Sequence, residues 1–301
     1  MTLANTQLAL HAFPPQPGAQ RIRLLQGDAG VVVILARLGE KSASPYQPSP
    51  TAFDSIGAAG PAKPTRLYTI EQLLPGSPDW DVTLGAAGKP VLALNKFGGA
   101  INSLSVHDGA RQLPLTPLRE VDDLHDPRFV RGPRGAGAVT ALADDRQVLL
   151  FQRGKDGQYG AARVIAEGKQ LDNALLLDTP SGWVLLTRRA ELGVQRGRFP
   201  GVLEARPLGS DFKPAGAAVP VFGAERIFHF DADVTEAGYA VVAVTAAGFA
   251  LARVGKDQPA RIEHHPHQAL SGPASMVATG GMLYLGFLTP DQKIWLTKTA
   301  V

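Results

Sequence analysis

One recurring phrase constrains this chain more than any single motif. A segment of the type Asp-Val-Thr is followed by a turn and then by a seven-residue apolar run. Asp81-Val82-Thr83 leads through Gly85 and Gly88 into Pro90–Lys96 (PVLALNK). Ala138-Val139-Thr140 leads through Asp144-Asp145 into Gln147–Arg153 (QVLLFQR), and Asp233-Val234-Thr235 through Gly238 into Tyr239–Thr245 (YAVVAVT). Looser copies are Asn173–Leu175 with Trp183–Arg189, Ser275–Val277 with Met282–Leu288, and Gly30 with Val31–Arg37. Runs this short and continuously apolar, bounded by Gly, Asp, Pro and Ser, read as strands buried on both faces. The residues just before them are 30, 89, 146, 182, 238 and 281, in steps of 59, 57, 36, 56 and 43. Four-stranded propeller blades recur at roughly 40–50 residues, with uneven steps where loops are inserted.

The expected fold is therefore all-β: a single β-propeller over 1–301, six-bladed on this count, with five blades as the alternative. Its blades should be four-stranded and antiparallel, at roughly 14–74, 75–122, 123–168, 169–222, 223–262 and 263–301. Residues 1–13 would add a strand to the last blade, so that N- and C-terminal strands close the ring and no sheet edge is left open. Outer strands follow the pairs at Ile101–Val106, Ala161–Ala166, Gly201–Pro207, Phe249–Val254 and Lys293–Thr299. Residues 39–66, with Pro45, Pro48, Pro50, Pro61 and Pro64, read as a long Pro/Gly/Ser-rich loop. Arg66–Leu74 reads as a strand running into a helical turn. Helical periodicity over ten or more residues is missing throughout.

Charge and composition narrow the functions. With 30 basic and 27 acidic residues the formal charge is only +3, and no Lys/Arg run is present, so nucleic acid is not an expected partner. The 301 residues contain no cysteine, which removes disulfides, thiol nucleophiles and thiolate metal sites. Met1–Phe13 lacks the basic start and apolar run of a secretory signal, so the expected location is cytoplasmic unless a leader has been removed. No window approaches a membrane span, and the expected state is a monomer.

Four constellations bear on chemistry. The seventh residue of the apolar runs is Arg37, Lys96, Arg153 and Arg189 in four copies, and equivalent positions should form a partial ring of cations around one face. Such a ring would receive a carboxylate-bearing sugar, a phosphate or an acidic partner surface, or its members simply reach solvent at the strand ends. Asp122-Asp123-Leu124-His125-Asp126-Pro127-Arg128-Phe129 is the second. Its Asp126-Pro127-Arg128-Phe129 resembles the start of a blade in several five-bladed glycoside hydrolases and phosphorylases. That resemblance implies an Asp near the axis acting as base, nucleophile or ligand of a sugar hydroxyl. A glycosidase needs a second carboxyl group, for which Asp81, Asp172, Asp178 and Asp231 are candidates. The structural alternative is an Asp-Pro turn that opens a strand.

Glu263-His264-His265-Pro266-His267 invites a metal reading through His264, His265 and His267, joined by His125 or His229 if folding gathers them. Extended chain sends His264 and His265 to opposite sides, so no cofactor is favoured, although a structural or catalytic divalent metal stays open. Asp231-x-Asp233-x-x-Glu236-x-Gly238 lacks the register of a calcium loop. Asp233, matching Asp81, reads instead as a cap on turn amides. Phosphate loops, dinucleotide fingerprints and nucleophile elbows are absent. Trp80, Trp183 and Trp295 occupy non-equivalent positions and read as packing between blades rather than as lectin platforms.

The favoured function on these grounds is non-catalytic: a binding propeller offering a rigid face to a protein or anionic partner. The first alternative is a carbohydrate-active propeller, hydrolase or lectin, with an axial site of His125, Asp126, Arg153, His229 and Asp231. The second is a metal-assisted hydrolase or lyase. An enzyme requires acids or histidines from at least three blades to converge in one axial pocket. A binding module requires an apolar or charged patch on a face or the rim without such convergence.

Overall fold

A computed structural model describes residues 11–28, 30–38, 49–58, 64–72, 79–85, 89–97, 102–109, 111–117, 121, 123–135, 137–190, 199–256, 260–267 and 272–301. The architecture is a β-propeller of antiparallel sheets, and no helix occurs among the described residues. Consequently no helix there is long and apolar enough to cross a membrane.

The strands run in sequence order within each sheet. β1 (His11–Ala12) is set aside for closure. β2 (Ala19–Gly27), β3 (Gly30–Leu38), β4 (Ser49–Gly57) and β5 (Thr65–Gln72) form one sheet. β6 (Trp80–Leu84), β7 (Pro90–Phe97), β8 (Asn102–Asp108) and β9 (Arg111–Leu115) form the next. β10 (Leu124–Phe129), β11 (Val139–Ala143), β12 (Gln147–Phe151) and β13 (Arg163–Glu167) form a third. An eight-stranded sheet follows. It holds β14 (Leu171–Thr179), β15 (Gly182–Ala190), β16 (Gly201–Leu208) and β17 (Val219–Pro220), then β18 (Ile227–Thr235), β19 (Gly238–Thr245), β20 (Gly248–Gly255) and β21 (Arg261–Pro266). Its two halves meet through one residue pair, Gly201 with Ile227. The last sheet is β22 (Ala274–Thr279), β23 (Met282–Leu288) and β24 (Ile294–Ala300), with β1 added beside β24.

Closure is therefore made by the two ends of the chain: His11 lies opposite Leu296 and Ala12 opposite Trp295. The Phe13 amide donates to the Ile294 carbonyl at 2.8 Å. The first strands touch in a closed cycle, β2 on β6, β6 on β10, β10 on β14, β14 on β18, β18 on β22 and β22 on β2. They line the axis.

Each apolar run is continuous because both sheet faces are covered by neighbouring sheets; every residue of β19 is buried. The core is accordingly divided into layers between sheets. Ile34, Phe53, Trp80, Val82 and Leu94 fill one such layer, where Phe53 meets Trp80 edge-on at 5.3 Å. Leu104, Val106, Phe129, Val139 and Phe151 fill the next. Trp183 packs on Phe212 at 5.0 Å and Trp295 on His267 at 5.4 Å.

Three sequence expectations need correction. The third copy of the phrase is displaced by one strand: 138–142 with 147–153 is the β11–β12 pair, second and third in its sheet, whereas the other copies supply first and second strands. The true first strand there is β10, Leu124–Phe129, buried throughout although it carries His, Asp, Pro and Arg. Part of the expected loop 39–66 is strand β4, whose Thr51, Ala52, Phe53, Asp54 and Ile56 are buried between neighbouring sheets. Its small side chains and Pro50 hid it. The expected boundary at 262 cuts β21, which continues to Pro266. The helical turn expected near Leu74 lies outside the described residues.

Candidate active site at the propeller axis

A β-bulge recurs where several first strands approach the axis. Residue pairing skips one position between Ala19 and Arg21 on β2, between Leu171 and Asn173 on β14, and between Ile227 and His229 on β18. On β10 the skip falls between His125 and Arg128. A bulge leaves one residue out of the ladder and turns neighbouring side chains away from strict alternation. Here it turns Arg21, Asp126, Asp172, Phe228 and His229 into one cavity of about 140 Å³. Arg23, Asp79, Arg128, Asn173, Arg188 and Asp231 complete its polar wall.

Asp126 shows why the local sequence does this. Pro127 has no amide to donate, so β10 cannot continue its ladder there. Asp126 takes up the distortion in the left-handed region at φ 46°, a conformation that Asp tolerates better than most residues. Its amide donates to Asp79 Oδ2 at 3.3 Å. Its side chain is buried, Oδ1 lies 3.7 Å from Arg21 Nη2, and Oδ2 has no hydrogen-bond partner among the described residues. His125, one residue earlier, points elsewhere: it is fully buried with Asp123 Oδ2 at 3.1 Å from Nδ1 and Asp145 Oδ1 at 3.0 Å from Nε2.

Beneath the cavity lies a buried ionic network. Asp231 Oδ1 accepts from Arg128 Nη2 at 2.7 Å; its Oδ2 accepts from Arg23 Nη1, from Ser275 Oγ at 3.1 Å and from the Met276 amide at 2.8 Å. Asp81 Oδ2 accepts from Arg131 Nη2 and the Phe129 amide, both at 2.8 Å, and Arg23 Nε lies 3.0 Å from Asp81 Oδ1. Ser275 Oγ in turn accepts from the Leu24 amide at 2.9 Å. A side chain on one first strand thus repeatedly takes the backbone amide of the next, which ties neighbouring sheets at the axis. Asp233 does the same toward the Ala278 amide at 2.8 Å, so it is a tether between sheets rather than a turn cap, although Oδ1 also accepts from Val234 N.

The cavity's acids differ in ionisation. Burial pushes the Asp126 carboxyl up, and the nearby Asp79 adds to this; Arg128 and Arg21 act against it. Burial also pushes Asp172 up, to about 6, even though Arg188 binds it with Nε at 3.0 Å and with Nη2. Asp81 goes the other way. Burial would raise it, but Arg131, Arg23 and Arg128 outweigh that and hold it well below the usual carboxylate range. Burial and the neighbouring Arg188 bring His229 down to about 3, so it is neutral at ordinary pH. Burial lowers Arg128 to about 10, where it remains a cation.

The remaining sequence candidates lie elsewhere. Arg37 and Arg189 stand on second strands, opposite Ala19 and Leu171, one strand out from the axis. Each turns to a third-strand carboxylate of its own sheet, Arg37 to Asp54 at 3.1 Å and Arg189 to Glu204 at 3.1 Å. Arg153 follows a third strand because of the displaced repeat, and it pairs with Asp108 at 2.7 Å. None of the three lines the cavity. Lys96 lies in β7 opposite Ser103, and its side chain is outside the described residues. Asp178 binds the Arg134 amide and guanidinium and does not line the cavity. His264 faces Glu225, His265 stacks on Phe249 at 4.6 Å and His267 meets Trp295. Among the described residues no three His, Asp or Glu side chains are grouped to hold a metal ion. Arg21, Arg23, Asp79, Asn173 and Arg188 escaped sequence reasoning; a basic residue spaced two apart on a strand (Arg21, Arg23) reads as a solvated face.

No family model and no curated protein matches the chain. Solved structures do resemble it. An α-L-arabinofuranosidase from Fusarium graminearum in complex with an iminosugar inhibitor has a TM-score of 0.62 at 7% identity, with 98% of this chain and 97% of that one covered. The GH93 α-L-arabinofuranosidase of Fusarium graminearum with arabinobiose gives 0.60 at 6% over 98% and 97%. An exo-1,5-α-L-arabinanase from a bovine ruminal metagenomic library gives 0.50 at 12% over 85% and 100%. These likenesses establish the propeller fold.

Proposed function

We propose that this protein is a carbohydrate-active propeller of the glycoside hydrolase type, with the axial cavity as its active site. The observation that carries the reading is convergence: Asp79, Asp126, Asp172, His229 and Asp231 reach one cavity from four separate segments near the axis. Two of those acids, Asp126 and Asp172, are pushed up by burial. This arrangement favours the carbohydrate-active alternative over the non-catalytic binding reading. The latter calls for an apolar or charged patch without such convergence, and the exposed large apolar residues among those described are just Val164, Val219 and Val301. The metal-assisted reading is disfavoured because, of His125, His229, His264, His265 and His267, only His229 lines the cavity. The solved arabinofuranosidases and arabinanase support a glycoside-cleaving use of this fold without transferring any residue. We also count the eight-stranded sheet as two blades joined by the single Gly201–Ile227 pair, which makes the propeller six-bladed.

In chemical terms Asp126 is the acid that protonates the departing glycosidic oxygen, since burial keeps its proton at a pH where an exposed Asp has lost it. Asp172, oriented by Arg188 and titrating at about 6, is the second carboxylate, ionised near neutrality to act on the anomeric carbon or on a water. Asp231 is fully engaged by Arg23, Arg128, Ser275 and the Met276 amide, so it contributes a fixed negative charge rather than a mobile proton. A cavity of this size suits one sugar ring, being close to the ~150 Å³ that holds one benzene. The test is hydrolysis of a panel of aryl glycosides of pentoses, hexoses and uronic acids. At least one should be cleaved, and Asp126→Asn should lower kcat/KM by roughly 10²–10⁴ with an unchanged melting temperature. A parent enzyme that cleaves none, or a variant as active as the parent, removes the reading.

A further inference from the structure

We infer that the sugar taken by the axial site carries a carboxylate, a uronic acid, and that Arg21 reads that group; this rests on the glycoside-hydrolase reading above. The inference follows from counting which cavity cations are already engaged. Arg188 has Asp172 on two nitrogens and the Phe199 and Ile227 carbonyls at 3.2 and 2.9 Å. Arg23 is held by Asp231, Ser275 and Asp81, and Arg128 by Asp231 and Asn173. Arg21 differs. Its side chain is 22% exposed, its guanidinium sits 5.9 Å from the Trp80 ring centroid, and its nearest carboxylate oxygen, on Asp126, is 3.7 Å away. That distance is beyond a hydrogen bond.

Facing it, Asp126 is buried, and its Oδ2 has no hydrogen-bond partner among the described residues. A loosely opposed cation and acid, both lining one cavity, leave room for a ligand that satisfies both. The planar guanidinium fork matches a carboxylate bidentately, which a hydroxyl cannot reproduce. The lining holds four arginines, Arg21, Arg23, Arg128 and Arg188, and four aspartates, Asp79, Asp126, Asp172 and Asp231. Arg23, Arg128 and Arg188 each have a hydrogen-bonded carboxylate, and Arg21 does not among the described residues. Arg21 is also one of the charges that oppose the upward push on Asp126. A carboxylate bound to Arg21 cancels that opposition, so an acidic sugar helps to keep the proton that its own cleavage uses. A neutral sugar leaves Arg21 to Asp126.

The experiment is binding of glucuronate and galacturonate against glucose and galactose, by calorimetry and thermal shift, on the parent, Arg21→Gln and Arg21→Lys. A uronate should bind at least ~10-fold tighter than its neutral counterpart. Arg21→Gln should weaken it by roughly 10–100-fold, far more than it weakens the neutral sugar, and Arg21→Lys should recover part of the loss. Equal affinity for acid and neutral sugars, unchanged uronate affinity in Arg21→Gln, or no uronate binding each overturns the inference. The two levels separate cleanly. Arg21-dependent uronate binding without cleavage of any aryl glycoside keeps the anion site and removes the hydrolase. Cleavage of neutral glycosides without uronate preference does the reverse.

Discussion

Replacing Asp231 by Asn changes one oxygen for nitrogen and should nevertheless cost the fold heavily. Asp231 is buried, and its two oxygens receive Arg23, Arg128, Ser275 and the Met276 amide. The surrounding network has three arginines, Arg23, Arg128 and Arg131, against Asp81 and Asp231. Removing one carboxylate leaves three buried cations on one anion, and the new amide directs hydrogens at groups that are themselves donors. Breaking a buried ion pair by deleting one partner costs about 3–5 kcal/mol. With an unfolding entropy of about 2.1 cal/mol/K per residue, a chain of 301 residues has roughly 0.6 kcal/mol/K. The expected fall in Tm is therefore about 5–8 °C at pH 7, read by calorimetry. Ser275→Ala, which removes an uncharged hydroxyl bonded to Asp231, Arg23 and the Leu24 amide but no ion pair, should cost about 1.5–3 kcal/mol and lower Tm by roughly 2–5 °C. Because the network is buried, 1 M salt should leave the Asp231→Asn deficit nearly intact. A melt within 1 °C of the parent, or a deficit that disappears in salt, takes away the role assigned to this network in holding the axis.

Further expectations concern the cavity and its surroundings. In a pH profile of kcat/KM, activity should rise as Asp172 loses its proton near pH 6; Arg188 favours the ionised form, so Arg188→Met should move that limb to higher pH. A limb that stays in place excludes Asp172 from the base role. His229 is already neutral above about pH 3, so His229→Gln should change KM while leaving both limbs where they are in the parent. Gly132 has φ 101°, and a Cβ there would meet the Asp178 backbone oxygen at 2.5 Å. Gly132→Ala should cost more than about 1 kcal/mol in urea unfolding, with no change in the pH limbs of activity.

The radial β architecture was legible because apolar runs such as β19 are buried on both faces, and such runs cannot be mistaken for one-sided strands. The slip in the third sheet has a physical cause. β10 is as buried as β19, but its His125, Asp126 and Arg128 are made tolerable inside by Asp123 next to it and by Asp145, Arg21 and Asp231, which come from other strands or turns and which no local pattern reveals. β4 was lost because Pro50, Thr51 and Ser55 carry turn composition into a covered strand. At the site, Asp126 could be singled out by the resemblance of Asp126-Pro127-Arg128-Phe129 to a blade start, Asp172 and Asp231 as carboxyl groups on early strands, and His229 as a histidine close to Asp231. Arg21 and Arg188 could not, since their direction is set by the bulges at Gln20 and Asp172, and a bulge is a matter of register between two strands. Of the cations expected to form a ring, Arg37 and Arg189 share a position on second strands, and each is engaged by a third-strand carboxylate, Asp54 or Glu204, that spacing along the sequence does not reveal.

The most direct check is a crystal structure of Asp126→Asn soaked with the monosaccharide that binds best. The sugar should lie in the axial cavity, with its anomeric oxygen within hydrogen-bond reach of residue 126 and the opposite side of the ring facing Asp172. A sugar seated only on the outer rim, with the axial cavity holding solvent alone, would mean that these converging acids serve the architecture and not a reaction.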